Sequence, residues 1–589
     1  MSSIRSIFAA LLVVILASNG RTFGDEEVAP IRLIDASAAV CLEIPRFEAT
    51  WSKLQDSRLL ARLKVFPPVQ RFLAGPGFQK WTLIDEYARQ VTGKSVTTHL
   101  VGAFSEAVVI AIYLPDGMPP QGVLIAQARD ADALKQTLLA WAKLEPEHVT
   151  RTLDHHGQPY IRRAKSANST EVVYYTVFGR TIALSDQERL IKQVIEFHEA
   201  AGDNGSNAAT RLQALGNSNH FRTNRARLPA NSAAFLFLNP RMWDKVIGDT
   251  VQQSPDAASV QPVVRSLTAI SASLRLDDEV VVDLVAEVNQ AAIPSAWKRL
   301  VASTGLEHDF TKRVPAGAIA TISSRMDVTS LVQAWLVATA ATSSDDFQRG
   351  RNLLKSVLLG RDLFNDIVPH MMRDWTLSLV DTQGLSVDQA PVNVLGQFAI
   401  DAGGLDGAQP VDGSIDNGLQ FAMTALGAVL SHQRGPNRDS VVMVESQASR
   451  DSTIRALVGI KNWCPAYRIS SSVLLVSTSR TLLSIVPDAP IGPSVLTKSR
   501  LADFEGRYFR SATQLAWLDA ARLRSVLVQQ REWIARQVDQ GSVEGHERTL
   551  KHLAKVEDIA KVFDAAFLAA RLAEDHVHVV FGAALDRSE

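Results

Sequence analysis

The sequence predicts an α+β protein of two similar halves, each a largely antiparallel sheet with helices packed on one face. Three observations support this prediction. Short apolar strands are joined as hairpins and do not alternate regularly with helices, which favours antiparallel sheets. The order of strands and helices recurs between residues 25–290 and residues 291–589. A chain of 589 residues also exceeds the size of a single hydrophobic core, so we expect two domains.

Four segments share one pattern, in which an apolar strand ends at a residue suited to the start of a helix. The predicted strands are 38–44, 233–238, 318–322 and 512–518. The residues that follow them are Pro45, Asn239 with Pro240, Ser323 with Ser324, and Asp519. Asn, Ser and Asp accept hydrogen bonds from the first turn of a helix, and Pro at the first helical position removes no bonded N–H. We therefore expect a helix after each strand.

Hairpins also recur between the halves. In the first half, strands 172–178 and 181–184 turn at Gly179 and precede a helix at 187–197. The matching runs of the second half are 467–469, 473–477 and 480–486, the last helical or extended. The closing hairpins are 269–276 with 280–288, and 567–572 with 576–583. This common order indicates an internal duplication.

Two further segments have a distinctive composition. Apolar residues at helical spacing over 518–566, interrupted at Gly541 and Gly545, predict a helical hairpin near the C-terminus. Residues 402–418 are rich in Gly, Asp and Asn, so we expect a loop there.

Residues 1–24 have the features of a signal peptide. Arg5 supplies the positive charge, an uncharged apolar run covers residues 7–17, and small residues favour cleavage near Gly20 or Gly24. The run is shorter than the roughly 17–25 residues that span a bilayer, so an uncleaved anchor is the alternative. No later segment is apolar enough to span a membrane in the mature chain. We expect an exported protein, periplasmic or extracellular.

The leader, the recurring strand-helix units and the hairpin sequence Tyr-Tyr-Thr-Val-Phe-Gly-Arg-Thr-Ile-Ala-Leu-Ser at residues 174–185 together resemble a family of exported bacterial proteins of no known activity. The resemblance extends over most of the mature chain and rests on pattern. It implies no catalytic residue and no cofactor.

Charge and cysteine content exclude several classes of protein. The chain has 61 Lys and Arg against 62 Asp and Glu, so its overall field would not attract nucleic acid. Cys41 and Cys464 are the two cysteines, one in each half, and do not form a disulfide framework. Burial as free thiols is the favoured interpretation, and a bridge between them in an oxidising compartment is the alternative.

Three short motifs have ordinary structural explanations. Gly93-Lys94-Ser95 is not a phosphate-binding loop, because Ala88 stands where that loop needs glycine. Ser295 and Lys298 have the spacing of a serine acyl-enzyme, but the partner motifs are missing and a helix start explains them. Residues 154–157, Asp-His-His-Gly, are typical of a hairpin turn.

His576 and His578 form the sharpest candidate site. Alternation along a strand places both imidazoles on one side, about 7 Å apart, where they could share a metal ion. A third ligand would come from elsewhere, for which His546 and His552 are candidates. The polar face of an exposed sheet explains the same pattern.

These observations favour an exported, non-enzymatic binding or structural protein of the bacterial cell envelope. Its partner would be a protein or another envelope component, and we expect no cofactor, no catalytic residue and no nucleic acid. One alternative is a secreted metal-dependent hydrolase that uses His576 and His578. The other is a periplasmic protein anchored by an uncleaved N-terminal segment.

Overall fold

The computed structural model describes residues 28–144, 147–166, 168–202, 213–244, 264–276, 279–293, 295, 298–299, 314–315, 317–338, 345–358, 360–382, 390–400, 411–434, 442–449, 452–460, 462–470, 472–487, 504–509, 512–538 and 543–585. The predicted signal peptide lies outside these residues. The chain divides into two compact units, a first unit of Met1–Ala292 and a second unit of Ile293–Glu589.

The first unit combines strands with a block of helices inserted after its first strand. Its strands are β1 (Val40–Pro45), β2 (Ala107–Tyr113), β3 (Gln121–Gln127), β4 (Val149–His155), β5 (Gln158–Ala164), β6 (Val172–Phe178), β7 (Thr181–Ser185), β8 (Ala234–Leu238), β9 (Leu267–Leu276) and β10 (Glu279–Val288). Its α-helices are α1 (Phe47–Gln55), α2 (Arg58–Val65), α3 (Pro67–Leu73), α4 (Pro76–Thr92), α5 (Val96–Phe104), α6 (Ala131–Leu144), α7 (Glu188–Gly202) and α8 (Asn219–Arg227).

Every pairing in this sheet is antiparallel. The strands follow the order β4, β5, β6, β7, β3, β2, β1, β8, β9, β10. The strand predicted at 38–44 and the hairpin at Gly179 are confirmed, since β6 and β7 pair around that glycine at φ +55°. Hairpin connections account for most of the neighbours, as expected for an antiparallel sheet.

Helices cover both faces of the first unit's sheet, so the prediction of helices on one face is wrong. Val109 and Ala111 of β2 contribute to a core on the side of α7. Their neighbours Val108 and Ile110 contribute to a second core with α1, α5 and α6. Because successive side chains of a strand point to opposite faces, the uninterrupted apolar sequence of β2 requires cover on both sides.

The second unit has its own sheet and helices. Its strands are β11 (Ala318–Ser324), β12 (Met371–Asp381), β13 (Val392–Ile400), β14 (Met443–Ser449), β15 (Ser452–Val458), β16 (Ala466–Ile469), β17 (Val473–Ser477), β18 (Gln514–Asp519), β19 (Ala565–Leu572) and β20 (His576–Ala584). Its α-helices are α9 (Val328–Ala338), α10 (Asp345–Val357), α11 (Val411–Arg434), α12 (Arg480–Ile485), α13 (Ala520–Val538) and α14 (Val543–Ala560).

The strands of the second unit are also paired antiparallel throughout the part that the structure describes. Their order is β14, β15, β16, β17, β13, β12, β11, β18, β19, β20. When the strands of each unit are numbered in chain order, the second unit has the same order of paired strands as the first. Leu475 of β17 contributes to one core with α12, and its neighbours Leu474 and Val476 contribute to another with α11.

Two local predictions in the second unit are wrong. The helix expected directly after Ser323 and Ser324 begins later, at Val328, because both serines extend β11 and Asp327 accepts a hydrogen bond from the N–H of Ser330 instead. The segment expected to be a loop up to residue 418 is helical from Val411. Gly418 is compatible with that helix because it lies against Leu358, where a side chain would overlap.

Within the described residues, no helix is both long enough and apolar enough to cross a bilayer. The predicted anchor segment at 7–17 lies outside the described part of the chain, so this finding does not concern it.

A close contact between β19 and β20 makes Gly582 a sensitive position. Gly582 pairs with Phe567, and a Cβ atom at residue 582 would overlap the Phe567 ring. Phe504 and Phe509 pack against the same ring, at centroid distances of 4.6 and 5.3 Å. Because these buried neighbours hold the ring, it has little room to move.

We therefore expect Gly582→Ala to destabilise the second unit by about 1–3 kcal/mol through overpacking. Denaturant unfolding and amide hydrogen exchange of β19 and β20 measure this loss. Gly350→Ala on α10, where an added Cβ meets nothing within 4 Å, is the control. Equal stability of the two variants would contradict the prediction.

Candidate binding site

Helix α7 of the first unit provides one wall of the candidate site. It starts just after β7, where the Ser185 hydroxyl accepts a hydrogen bond from the N–H of Gln187 at 3.0 Å. The residues of α7 described as buried are Leu190, Ile191, Val194, Ile195, Phe197 and Ala200. This apolar side packs on the sheet and directs the intervening charged side chains away from the core.

The hairpin of β4 and β5 provides the opposite wall. Its two-residue turn consists of His156 at φ +53° and Gly157 at φ +80°, the left-handed pair that suits a tight hairpin. The Asp154 carboxylate accepts a hydrogen bond from the N–H of Gly157 at 3.0 Å. The turn predicted at residues 154–157 is confirmed, because Asp, His and Gly all tolerate this geometry.

Two histidines join the hairpin to the helix. Nε2 of His155 lies 3.0 Å from Oε1 of Glu196, and Nδ1 of His156 lies 3.1 Å from Oε2 of Glu199. The two imidazoles are stacked, with ring centroids 4.3 Å apart. The glutamates lie three residues apart on one side of α7, so both histidines meet the helix together.

An open cavity of about 530 Å³ lies beside this junction. It is lined by His155 of β4 and by Glu188, Arg189, Lys192, Gln193 and Glu196 of α7. We call this the α7 groove. Side chains of both charges face it together, because positions three and four residues apart share one face of a helix.

Glu188 is fixed within the groove by two donors. Lys192 Nζ lies 2.8 Å from Glu188 Oε1, and the Tyr160 hydroxyl donates to the same oxygen at 2.6 Å. The Lys192 hydrogen bond, followed by the Tyr160 hydrogen bond, holds the pKa of Glu188 below its usual range. Burial, followed by the bond to Glu188, raises the pKa of Tyr160. Glu188 is therefore held as a carboxylate.

Arg189 and Gln193 are also oriented by neighbours. Arg189 Nη2 donates to Oε1 of the buried Gln121 at 3.1 Å, and Gln193 donates to Oδ2 of Asp35 at 2.7 Å. A guanidinium carries five N–H donors. Arg189 is exposed, and within the described residues its guanidinium makes one hydrogen bond, that to Gln121.

The second unit has a different polar cluster at its helix α11. Asp416 accepts hydrogen bonds from Arg455 at 2.8 and 2.6 Å and from the Tyr467 hydroxyl at 2.8 Å. The Arg455 bonds lower the pKa of Asp416. Because Tyr467 is buried and Asp416 accepts three hydrogen bonds from the strands, this cluster joins α11 to the sheet.

The predicted metal ligands His576 and His578 lie on β20, two residues apart as expected. Nδ1 of His576 lies 2.7 Å from Oδ1 of Asp575. His546 lies on α14, with Nε2 3.3 Å from a carboxylate oxygen of Glu532 on α13. Over the described part of the chain, no three His, Cys, Asp or Glu side chains are grouped so as to hold a metal ion. Binding at His576 and His578 stays a prediction.

The short motifs have structural roles. Gly93 ends α4 at φ +78°, and the Ser95 hydroxyl accepts a hydrogen bond from the N–H of Thr98 at the start of α5. These two helix ends explain the Gly-Lys-Ser sequence. Cys41 and Cys464 are free thiols, and burial raises the pKa of both.

The turn at residues 154–157 was predicted as a structural feature only, and the charged residues of α7 were not predicted as part of a site. The helix at 187–197 was expected, so its spacing could have shown that residues 188, 189, 192 and 196 share a face. The contacts with Gln121 and Asp35 had no signal in the sequence, because they join residues 68 and 158 positions apart.

Comparison with known proteins gives no family. No protein-family model and no curated protein matches the sequence. Two solved structures of TP0453 show a weak likeness. Crystal form III has a TM-score of 0.23 and 10% identity, covering 48% of this chain and 89% of TP0453. Crystal form IV has a TM-score of 0.21 and 10% identity, covering 44% and 81%. Scores this low support no conclusion about fold or function.

The lowered pKa of Glu188 predicts a pH-dependent effect on the first unit. The stabilising contribution of the Glu188 carboxylate is complete above the pKa of glutamate in the unfolded chain, about 4.3. It is lost as the pH falls through the lower pKa of Glu188 in the folded chain. We expect Glu188→Gln to be less stable than the wild type near neutral pH, with the difference vanishing in acid. Urea unfolding followed at α7 across pH measures it. Glu86→Gln, an exposed acid on α4, is the control. A difference that is independent of pH would contradict the assignment.

Proposed function

We propose that this protein is an exported, non-enzymatic binding protein of the bacterial cell envelope and that the α7 groove holds its ligand. The observation that carries the proposal is that charged side chains of both signs line an open cavity and are held by fixed partners. Groups oriented before a ligand arrives lose little conformational entropy on binding. Concave sites with a few oriented polar groups are the usual places for small ligands.

The charges of the groove define the ligand class. Arg189 has unused donors that suit a carboxylate, and a guanidinium can bind one with two parallel hydrogen bonds. Glu188 directly precedes Arg189, and Glu196 provides negative charge about two turns further along the helix. A small zwitterion, such as a free amino acid or a short peptide with free termini, matches both signs.

The shared strand order supports the proposal that the units are diverged copies of one module. Equivalent serines add to this support. The Ser185 hydroxyl donates to the carbonyl of Gly122 at 2.7 Å, and the Ser477 hydroxyl donates to the carbonyl of Val394 at 2.8 Å. In each unit this serine ends the equivalent strand and accepts a bond from the N–H two residues later. In the same proposal, α13 and α14 form a C-terminal hairpin specific to the second copy.

Export is proposed from the leader sequence and agrees with the resemblance to exported bacterial proteins. The pattern of residues 1–24 is that of a cleaved signal peptide, with the mature chain starting just after Gly20 or Gly24.

The ligand proposal predicts that Arg189→Glu weakens the binding of small zwitterions. Titration calorimetry of the whole chain with single free amino acids and with dialanine measures the affinity. We expect at least about a tenfold loss, since a charge-assisted pair is replaced by like-charge repulsion. Arg222→Glu on α8, an exposed arginine of the same unit, is the control. No heat from any zwitterion, or equal heats from both variants, would overturn the proposal.

The export proposal predicts a processed chain in the envelope fraction of a Gram-negative host. N-terminal sequencing of the product should begin between residues 21 and 25. A chain that keeps Met1 and sediments with membranes would support the anchored alternative, and an unprocessed chain in the cytosol would contradict export.

A further inference from the structure

Helices α2, α3 and α4 of the first unit form a block that contributes little to its core. No side chain of α3 is buried, and only Asp85 and Ala88 of α4 are. Trp81 packs against the core beneath, and the Asp85 carboxylate accepts a hydrogen bond from the N–H of Val96 at 2.9 Å. These contacts hold α4 on the unit with its opposite side exposed.

That exposed side of α4 is apolar. Leu83, Ile84, Tyr87 and Val91 are 65%, 54%, 49% and 37% exposed. Their spacing places them along one side of the helix. Leu83 and Tyr87 lie opposite Asp85, whereas Ile84 and Val91 lie one turn from Ala88 and so border the side that packs on the unit. Phe72 of α3, 56% exposed, adds to the apolar area and lies 6.4 Å from the ring of Phe78 at the start of α4. Clustering of large exposed apolar side chains marks an interaction surface.

The same block has a strong positive charge. Residues 58–94 contain seven Lys and Arg against two Asp and Glu, a net charge of +5 in a chain whose total is −1. The other residues therefore carry −6. Six of the seven cations are exposed, and Lys80 lies on the apolar side of α4, between Leu83 and the start of the helix. Of the two acids, Asp85 is buried and lies 2.7 Å from Arg89.

We propose that this basic-apolar face, formed by α2, α3 and α4, binds an anionic lipid bilayer surface. A helix that lies in the interfacial plane of a membrane combines large apolar side chains with Lys and Arg. Anionic headgroups attract the cations, and the apolar side chains enter the boundary between headgroups and acyl chains. The charge disfavours a second copy bound through the same face, because that contact would bring +5 against +5.

This binding differs from a membrane span. Leu83, Ile84, Tyr87 and Val91 cover about two turns of helix, or roughly 12 Å at 1.5 Å per residue, which is enough for insertion at the interface and too short to cross the hydrocarbon core. The inference goes beyond the proposed function and does not depend on the α7 groove.

Vesicle sedimentation with the full chain tests the proposal. The probes are vesicles of phosphatidylcholine alone and vesicles in which phosphatidylglycerol replaces half of it. We expect binding to the anionic vesicles that weakens between about 0.15 M and about 1 M salt as the charges are screened. Residues 1–24, if retained, would add binding to both kinds of vesicle. The quantity compared is therefore the difference in binding between vesicles with and without phosphatidylglycerol.

Matched substitutions test whether the vesicles bind at the basic-apolar face. Leu83→Asp should reduce the phosphatidylglycerol-dependent binding at least about tenfold, since an apolar anchor is replaced by a charge that anionic lipid repels. Leu139→Asp, the same change at a residue 49% exposed on α6, should leave it unchanged. Lys80→Glu should weaken it several-fold, whereas Lys135→Glu on α6 should not.

Three results would overturn the proposal. The first is equal binding by Leu83→Asp and Leu139→Asp. The second is equal binding of the wild type to both kinds of vesicle. The third is that light scattering shows a wild-type dimer, that Leu83→Asp dissociates this dimer, and that no vesicle binding is seen. That result would assign the face to a second copy of the chain. Far-ultraviolet circular dichroism of each variant confirms that the comparison is between folded chains.

Discussion

Continuous antiparallel pairing of the strands is the constraint on which the rest of each unit depends. Backbone N–H and C=O groups that leave water must be bonded, and the sheets meet this need from one edge strand to the other. Pairing also fixes the direction of every side chain, since neighbours along a strand alternate between faces. In the first unit Val108 and Val109 are both buried, on opposite faces, so helices must cover both sides.

The groove follows from this arrangement. Burial of Ile191 and Ile195 fixes the rotation of α7 about its axis, and that rotation decides which side chains are left to face the hairpin. The turn at His156 and Gly157 brings two imidazoles to the helix, where Glu196 and Glu199 meet them. Individual exposed ion pairs contribute little to stability, so their value here is orientation.

Charge is distributed unevenly over a chain that is neutral as a whole. The block of α2, α3 and α4, residues 58–94, holds +5 of net charge, and the rest of the chain holds −6. Folding energetics do not require this separation, because the block contributes few side chains to the core. Together with Leu83 and Tyr87 on its exposed side, it gives the first unit a surface with a different chemistry from the groove. The overall charge ratio conceals this difference.

The sequence by itself determined the local features of this protein. Strands such as β1 and β8, the hairpin at Gly179 and the turn at His156 follow from apolar runs and turn residues, which act over a few positions. The tertiary structure alone decided which strands pair beyond the predicted hairpins, that both sheet faces are covered, and that Arg189 meets Gln121. These contacts join residues far apart in the chain, and their free energy comes from burial and pairing that no local pattern contains.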